Sequence, residues 1–194
     1  MLQAYLKYYN LICCCFWLAL AIGYWFNLFP EIYSWIWPLT IVQGLAIFDV
    51  VHALAGWVKT SVFTTVIQYI SRMFVTGVLA LAMFWWPLSD DILVQIGSKV
   101  IMLVWPLSEI IRYCYYFGRK GALITRLRYS AFIVLYPTGV LAEWLVMGKT
   151  LRFSLLNGGY LISGLIILAL VMYILYFPKL YGYLWQQRHK KLTS

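Results

Sequence analysis

The apolar residues of this sequence form six long runs, near residues 9–29, 39–58, 63–86, 92–117, 128–148 and 157–178. Each run is continuously apolar rather than alternating, and each approaches or exceeds the roughly 20 residues that a helix needs to cross a bilayer. Charged residues, Pro or Gly bound the runs, and Trp and Tyr crowd several ends, as interfacial anchors do. The pattern predicts an all-α, polytopic membrane protein with six transmembrane helices.

Composition supports this prediction and leaves no room for a soluble domain. Apolar residues make up 64% of the chain and charged residues 11%, whereas about a quarter of the residues in soluble domains are charged. Six spans with short connections use all 194 residues, which predicts a single transmembrane domain over 1–194. We expect the first run to be a retained helix, since no clear small-residue cleavage site follows it.

The basic residues predict the orientation. Threading six spans places most of them on one side: Lys7, Lys59, Arg119, Lys120, Arg126, Arg128, Lys179, Arg188, Lys190 and Lys191. Glu31, Asp90 and Asp91 fall on the other side, together with a short loop expected around Lys149 and Arg152. The positive-inside rule therefore predicts that both termini are cytosolic. The net charge of +9 then indicates lipid headgroups or an anionic substrate as partners, not nucleic acid.

The fifth run carries an unusual polar face. Tyr136 and Glu143 are seven residues apart, so they share one helix face with a rise of about 10 Å between them. Pro137 lacks an N–H and frees the carbonyl of Ile133, which protein or water has to satisfy. This face is therefore expected to look into the protein. An interior ionisable residue indicates a functional site, and an interhelical hydrogen bond that holds the bundle together is the alternative.

Polar residues of three other runs lie at a similar depth. They form pairs with helical spacing: Asp49 with His52, Gln68 with Arg72, and Glu109 with Arg112. Counted from the predicted cytosolic end, these residues and Tyr136 lie about 9–15 Å deep, and Glu143 about 22 Å. The two arginines need anionic partners there, which the three carboxylates of the layer can provide. Taken singly, each pair has a structural explanation, but together they predict a water-accessible pocket open to the cytosol.

Three blocks of the sequence resemble the membrane (3R)-3-hydroxyacyl-CoA dehydratases, once called protein tyrosine phosphatase-like proteins. The blocks are FDVVHALAGWVKTSVFTTVIQYISRMFV (48–75), WPLSEIIRYCYY (105–116) and LRYSAFIVLYPTGVLAE (127–143). The resemblance implies a six-span protein of the endoplasmic reticulum that catalyses the third step of very-long-chain fatty acid elongation. That step removes water from (3R)-3-hydroxyacyl-CoA to give trans-2-enoyl-CoA. The implied partners are the elongase condensing enzyme, the ketoacyl reductase and the enoyl reductase.

The resemblance also assigns site residues. The family's catalytic tyrosine and glutamate match Tyr136 and Glu143. Its other important polar positions match Asp49, Gln68, Arg72 and Arg128, with Gly139 between the catalytic pair. Asp49 stands where the family usually has a glutamate, so its side chain reaches about 1 Å less far.

Elimination of water needs a base for the α-proton and an acid for the departing 3-hydroxyl group. Tyrosine and glutamate can supply both, without a metal or a redox cofactor. Their depths favour Glu143 at the hydroxyl and Tyr136 at the α-carbon, and the reverse assignment is chemically possible. A basic rim of Arg119, Lys120, Arg126 and Arg128 would attract the CoA phosphates, although a positive-inside loop has the same composition.

Other functions fit the sequence less well. A phosphatase loop needs a cysteine with an arginine six positions later, whereas Cys114 lies in an apolar run and is followed there by Lys120. Cys13, Cys14 and Cys15 have no metal-site spacing, and we interpret them as apolar filler, with acylation as the alternative. A small carrier would need polar residues in the lumenal half, and an inactive scaffold would not need both members of the catalytic pair.

Overall fold

The computed structural model describes residues 1–29, 34–118 and 121–192, and every regular element in these ranges is helical. The helices are α1 (Leu2–Trp25), α2 (Ile36–Leu45), α3 (Ile47–Leu54), α4 (Val62–Ala80), α5 (Ile92–Phe117), α6 (Ala122–Ser130), α7 (Phe132–Leu156) and α8 (Tyr160–Leu192). Pairs α2/α3 and α6/α7 each form one span, and a π-helical turn over Leu81–Trp85 extends α4. The described residues thus contain six helical segments able to cross a membrane, which confirms the predicted fold class.

Two helices run well past the apolar segments that predict them. The expected loop around Lys149 and Arg152 is wrong, because α7 continues through both residues to Leu156. No proline or glycine interrupts residues 149–156, and the chain turns only at Gly158, whose φ of 76° is a conformation that glycine adopts readily. Similarly, α8 continues to Leu192 and carries the basic residues near the C-terminus as part of the helix.

Helix α5 is the centre of the bundle. It packs against α1 and α7, and it contributes Ile101 and Met102, which are fully buried, to the core. By contrast, α8 lies at the periphery, packs on α6 and α7, and buries only Ser163 and Ile166 among its described residues. The position of α8 beside α7 therefore depends on few apolar core contacts.

Prolines interrupt the backbone hydrogen bonds of α5 and α7, and a neighbouring helix satisfies each freed carbonyl. Pro106 leaves the carbonyl of Met102 without its helical donor, and Trp25 Nε1 of α1 donates to it at 3.3 Å. Pro137 does the same to Ile133, whose carbonyl accepts from the Tyr181 hydroxyl of α8 at 3.4 Å. The expectation that protein groups satisfy the carbonyl of Ile133 is therefore met.

At the N-terminal end of α5, an aspartate caps the helix and links it to α7. Asp91 accepts hydrogen bonds from the backbone N–H groups of Leu93 at 2.9 Å and Val94 at 3.4 Å. Lys149 Nζ donates to the same carboxylate at 2.8 Å. This hydrogen bond is the main reason why the pKa of Asp91 lies below its usual value. The start of α5 is thus held against the second half of α7.

Helices α5 and α7 approach each other closely at Gly97. A Cβ at this position would lie 2.7 Å from Val146 Cγ2 and 2.9 Å from the carbonyl oxygen of Ala142. Because the second contact is with backbone, α7 would have to move to make room. The glycine therefore fixes the distance at which α7 is held.

We expect Gly97→Ala to destabilise the protein by about 1–3 kcal/mol, since it overpacks this contact. Thermal unfolding in detergent, followed by tryptophan fluorescence, measures the effect. Gly77→Ala is the matched control, because a Cβ on Gly77 meets nothing within 4 Å and alanine is the better helix former. Equal unfolding midpoints for the two variants would show that α5 and α7 are not this close.

Candidate active site

A cavity of about 620 Å³ lies among the α2/α3, α4, α5, α6/α7 and α8 spans. Much of its wall is apolar, including Phe74, Leu135 and Leu168. Most of the polar side chains expected in one layer line this cavity: Asp49, Gln68, Arg72, Glu109, Arg112 and Tyr136. The deeper Glu143 and Arg128 of the predicted basic rim line it as well. The structure therefore brings together, in one space, polar residues from four spans that the sequence places at similar depth.

Glu143 is held by hydrogen bonds from two neighbouring helices. Its Oε1 accepts from the indole Nε1 of Trp105 on α5 at 2.9 Å, and its Oε2 accepts from the hydroxyl of Tyr173 on α8. The Tyr173 hydroxyl also hydrogen-bonds Ser71 Oγ on α4, 3.0 Å away. The side chain is 8% exposed, and each carboxyl oxygen has a partner. The carboxyl group is thus buried, oriented and on the cavity wall.

Tyr136 lies two turns before Glu143 on α7 and is held by ring stacking. Its ring is parallel to that of Phe177, with an interplanar angle of 1° and centroids 5.1 Å apart, and Tyr181 continues the stack at 6.4 Å. The Tyr136 hydroxyl has no hydrogen-bond partner among the described residues, although it lines the cavity. The hydroxyl is thus free to meet a bound molecule.

The charged residues of the layer form a single network. Glu109, on α5, bonds to the guanidinium groups of both Arg72 and Arg112, the latter at 2.6 Å. Arg112 also reaches Asp49 Oδ2 at 2.8 Å. Two arginines and two carboxylates therefore balance in charge, and Glu143 forms no ion pair with either arginine. The network links α3, α4 and α5.

Asp49 makes a full set of contacts although its side chain is one methylene shorter than glutamate. Besides Arg112, its carboxylate accepts from the hydroxyls of Tyr9 and Tyr113, each at 3.0 Å. The ring of Tyr113 lies beneath the Arg112 guanidinium, 4.1 Å from ring centroid to guanidinium carbon. The aspartate thus anchors α3 to both α1 and α5.

Some residues selected from the sequence lie elsewhere. His52 is 2% exposed and outside the cavity lining, with Nε2 hydrogen-bonded to Tyr5 at 3.0 Å and its ring stacked on Trp57. Gly139 does line the cavity, and a Cβ there would touch Val104 at 3.4 Å, an ordinary contact. Of the predicted basic rim, Arg128 lines the cavity, Arg126 is exposed away from it, and Arg119 and Lys120 lie outside the described residues.

The groups that hold the two central side chains were not predicted from the sequence. Trp105 and Tyr173 bind the carboxyl group, and Phe177 stacks on Tyr136. One signal was available, because a Trp or Tyr in the middle of a span buries an N–H or O–H group that needs an acceptor. On this basis Trp105 and Tyr173 could have been predicted as donors to Glu143, the deepest of the buried acceptors.

This arrangement defines a class of protein: a multi-pass helical membrane protein with an internal cavity. The cavity presents a carboxyl group held by two hydrogen bonds and a phenol without a hydrogen-bond partner in the described part of the chain, and both groups are of the kind that can exchange protons. The sequence model of the family described as "Protein tyrosine phosphatase-like protein, PTPLA" matches residues 43–194. The chain belongs to this family. A phosphatase centre is not formed at Cys114, whose thiol lies within α5, 3.1 Å from the thiol of Cys14.

Relatives of the chain carry the name of one enzyme. "Very-long-chain (3R)-3-hydroxyacyl-CoA dehydratase 2" of Homo sapiens is 32% identical, over 98% of this chain and 81% of the relative. The Caenorhabditis elegans dehydratase hpo-8 is 31% identical, over 98% of this chain and 95% of the relative. A probable dehydratase of Schizosaccharomyces pombe is 34% identical, over 75% and 73% respectively. No solved structure is significantly similar to the chain.

Proposed function

We propose that this protein removes water from very-long-chain (3R)-3-hydroxyacyl-CoA to give trans-2-enoyl-CoA, as a carbon–oxygen lyase of fatty acid elongation. The observation that carries the proposal is that one cavity holds a fixed carboxyl group and a phenol that no described residue bonds, in a chain that aligns almost end to end with dehydratases. A long apolar substrate with one reacting segment suits a cavity whose wall is apolar apart from one polar layer.

The substrate enters from the side where the basic residues collect. With both termini in the cytosol, Arg128 lies at the cytosolic end of the cavity wall and contacts the CoA phosphates, assisted by Arg126, Arg119 and Lys120. The thioester then reaches the level of Tyr136, and the 3-hydroxyl group lies deeper, towards Glu143. The acyl tail follows the apolar wall beyond the polar layer.

The reaction conserves protons, so the two side chains suffice. The α C–H bond breaks and its electron pair forms the carbon–carbon double bond, while the C3–O bond breaks and the oxygen leaves as water after gaining one proton. One side chain, deprotonated at the start, accepts the α-proton, and the other, protonated at the start, protonates the leaving group. A proton then passes back from the first side chain to the second and restores the starting state. We assign Glu143 to the 3-hydroxyl and Tyr136 to the α-carbon, because Glu143 is the deeper of the two.

The substrate also sets the location and the partners. Acyl-CoA of this length is made and used at a membrane, and we place the protein in the endoplasmic reticulum membrane as a multi-pass enzyme. A condensing enzyme and a ketoacyl reductase supply the 3-hydroxyacyl-CoA, and an enoyl reductase consumes the product. A carrier fits less well, because the cavity wall beyond Glu143 is formed by apolar residues such as Leu165 and Ala169.

Mass spectrometry of a purified preparation tests the proposal. The protein in detergent is given a long-chain (3R)-3-hydroxyacyl-CoA, and the wild type is expected to yield a product lighter by one water. Tyr136→Phe keeps the ring stack on Phe177 and removes only the hydroxyl, so it is expected to lose most of the activity. If folded wild-type protein dehydrates no chain length, the protein is not this enzyme.

A further inference from the structure

Helix α8 is poorly anchored in the core, yet it supplies contacts to both central side chains. Among its described residues only Ser163 and Ile166 are buried. Tyr173 and Phe177, one helical turn apart, face α7, where Tyr173 meets Glu143 and Phe177 meets Tyr136. The polar contact to Glu143 is thus also one of the contacts that hold α8 beside α7.

The hydroxyl of Tyr173 is the middle member of a chain of three groups. Ser71 Oγ lies 3.0 Å from it on one side, and Glu143 Oε2 lies within hydrogen-bond reach on the other. With the Tyr173 proton directed to Glu143, the Tyr173 oxygen accepts from Ser71. All three residues line the cavity, and they come from α4, α7 and α8.

The two donors on Glu143 differ in what they can do. The indole of Trp105 only donates, and it belongs to α5, which packs closely on α7. A phenol can donate or accept, so Tyr173 can remain bonded when Glu143 gains or loses a proton. Without the phenol, one carboxyl oxygen loses its partner and the side chain can turn away from the substrate.

We propose that Tyr173 is a positioning residue for Glu143: its hydroxyl, backed by Ser71, holds the carboxyl group at the reacting end of the substrate throughout the cycle. The inference rests on the proposed dehydratase function. It assigns a catalytic contribution to α8, a helix with few buried residues. Tyr173 acts through Glu143 and does not itself react with the substrate.

Kinetics of single and double variants test this role. Tyr173→Phe is expected to lower kcat roughly 10- to 100-fold, the worth of a hydrogen bond to a charged group, with KM little changed. In the Glu143→Gln background the same substitution is expected to have no further effect on the residual rate, because its effect passes through Glu143. A purely structural role would lower the rate in both backgrounds.

Tyr183→Phe is the matched control. It removes a phenol hydroxyl from the same helix, outside the cavity lining. Near-equal kcat for Tyr173→Phe and Tyr183→Phe would overturn the inference, and so would an additive loss in the Glu143→Gln background. If the wild-type protein dehydrates no substrate, the proposed dehydratase function itself is wrong. Failure of the positioning role and failure of the proposed function are therefore distinguishable.

Discussion

Replacing Glu143 by glutamine is expected to reduce the dehydration rate about 1,000-fold, the typical contribution of a positioned acid or base. Glutamine has the shape of glutamate and keeps an oxygen for the indole of Trp105, so the fold is expected to remain intact. The variant loses only the ability to exchange a proton at this position. Conversion of a long-chain (3R)-3-hydroxyacyl-CoA, followed by mass spectrometry, measures the rate.

Exchange of the α-proton in heavy water adds a second measurement on the same variant. If Glu143 serves only the 3-hydroxyl group, the Glu143→Gln protein still exchanges the α-proton while dehydration stops. Loss of both reactions would indicate that Glu143 removes the α-proton, and the assignment of the two roles would be reversed. Near-normal dehydration by a folded Glu143→Gln protein would exclude the proposed site altogether. The control is Cys114→Ser, which alters a thiol outside the cavity lining and is expected to stay active.

Replacing Glu109 by glutamine is expected to destabilise the protein by about 3 kcal/mol, because it leaves two cations of the network short of a counter-charge. Glu109 is the carboxylate shared by Arg72 and Arg112, and its side chain is 7% exposed. Arg112 retains Asp49, whereas Arg72 keeps no carboxylate. The free energy of unfolding in mixed detergent micelles measures this loss.

Lys149→Met provides the comparison for Glu109→Gln. It also breaks an ion pair, but Asp91 and Lys149 are partly exposed at a helix end, where such pairs are worth about 0–1 kcal/mol. The two variants are therefore expected to differ by at least about 2 kcal/mol. Similar values for both would show that water reaches the Glu109 network as freely as it reaches the helix end.

The class of fold follows from the sequence because the bilayer imposes a simple rule. A span has to be continuously apolar over about 20 residues, and six such runs are visible without any knowledge of packing. Helix ends are a different matter. Once α7 and α8 leave the apolar runs, only local hydrogen bonding decides where they stop, so Leu156 and Leu192 lie beyond the predicted ends.

The members of the polar layer could also be predicted from the sequence. The rise of about 1.5 Å per residue fixes how deep each side chain lies once the spans are threaded. Depth alone brought Asp49, Arg72, Glu109 and Tyr136 to one layer and placed Glu143 about 10 Å deeper on the same helix face as Tyr136. The structure places all five in the lining of one cavity. This part of the prediction needed only the geometry of a single helix.

Which partner each residue has was decided by the tertiary structure. Glu143 was a possible counter-ion for an arginine, but Glu109 occupies both arginines, and Glu143 pairs with Trp105 and Tyr173 instead. His52 has the right depth and yet packs against α1. The sequence by itself determined the spans and the depth of each polar group, because both depend on one helix at a time. Only packing decided which helices are neighbours and which way each face turns.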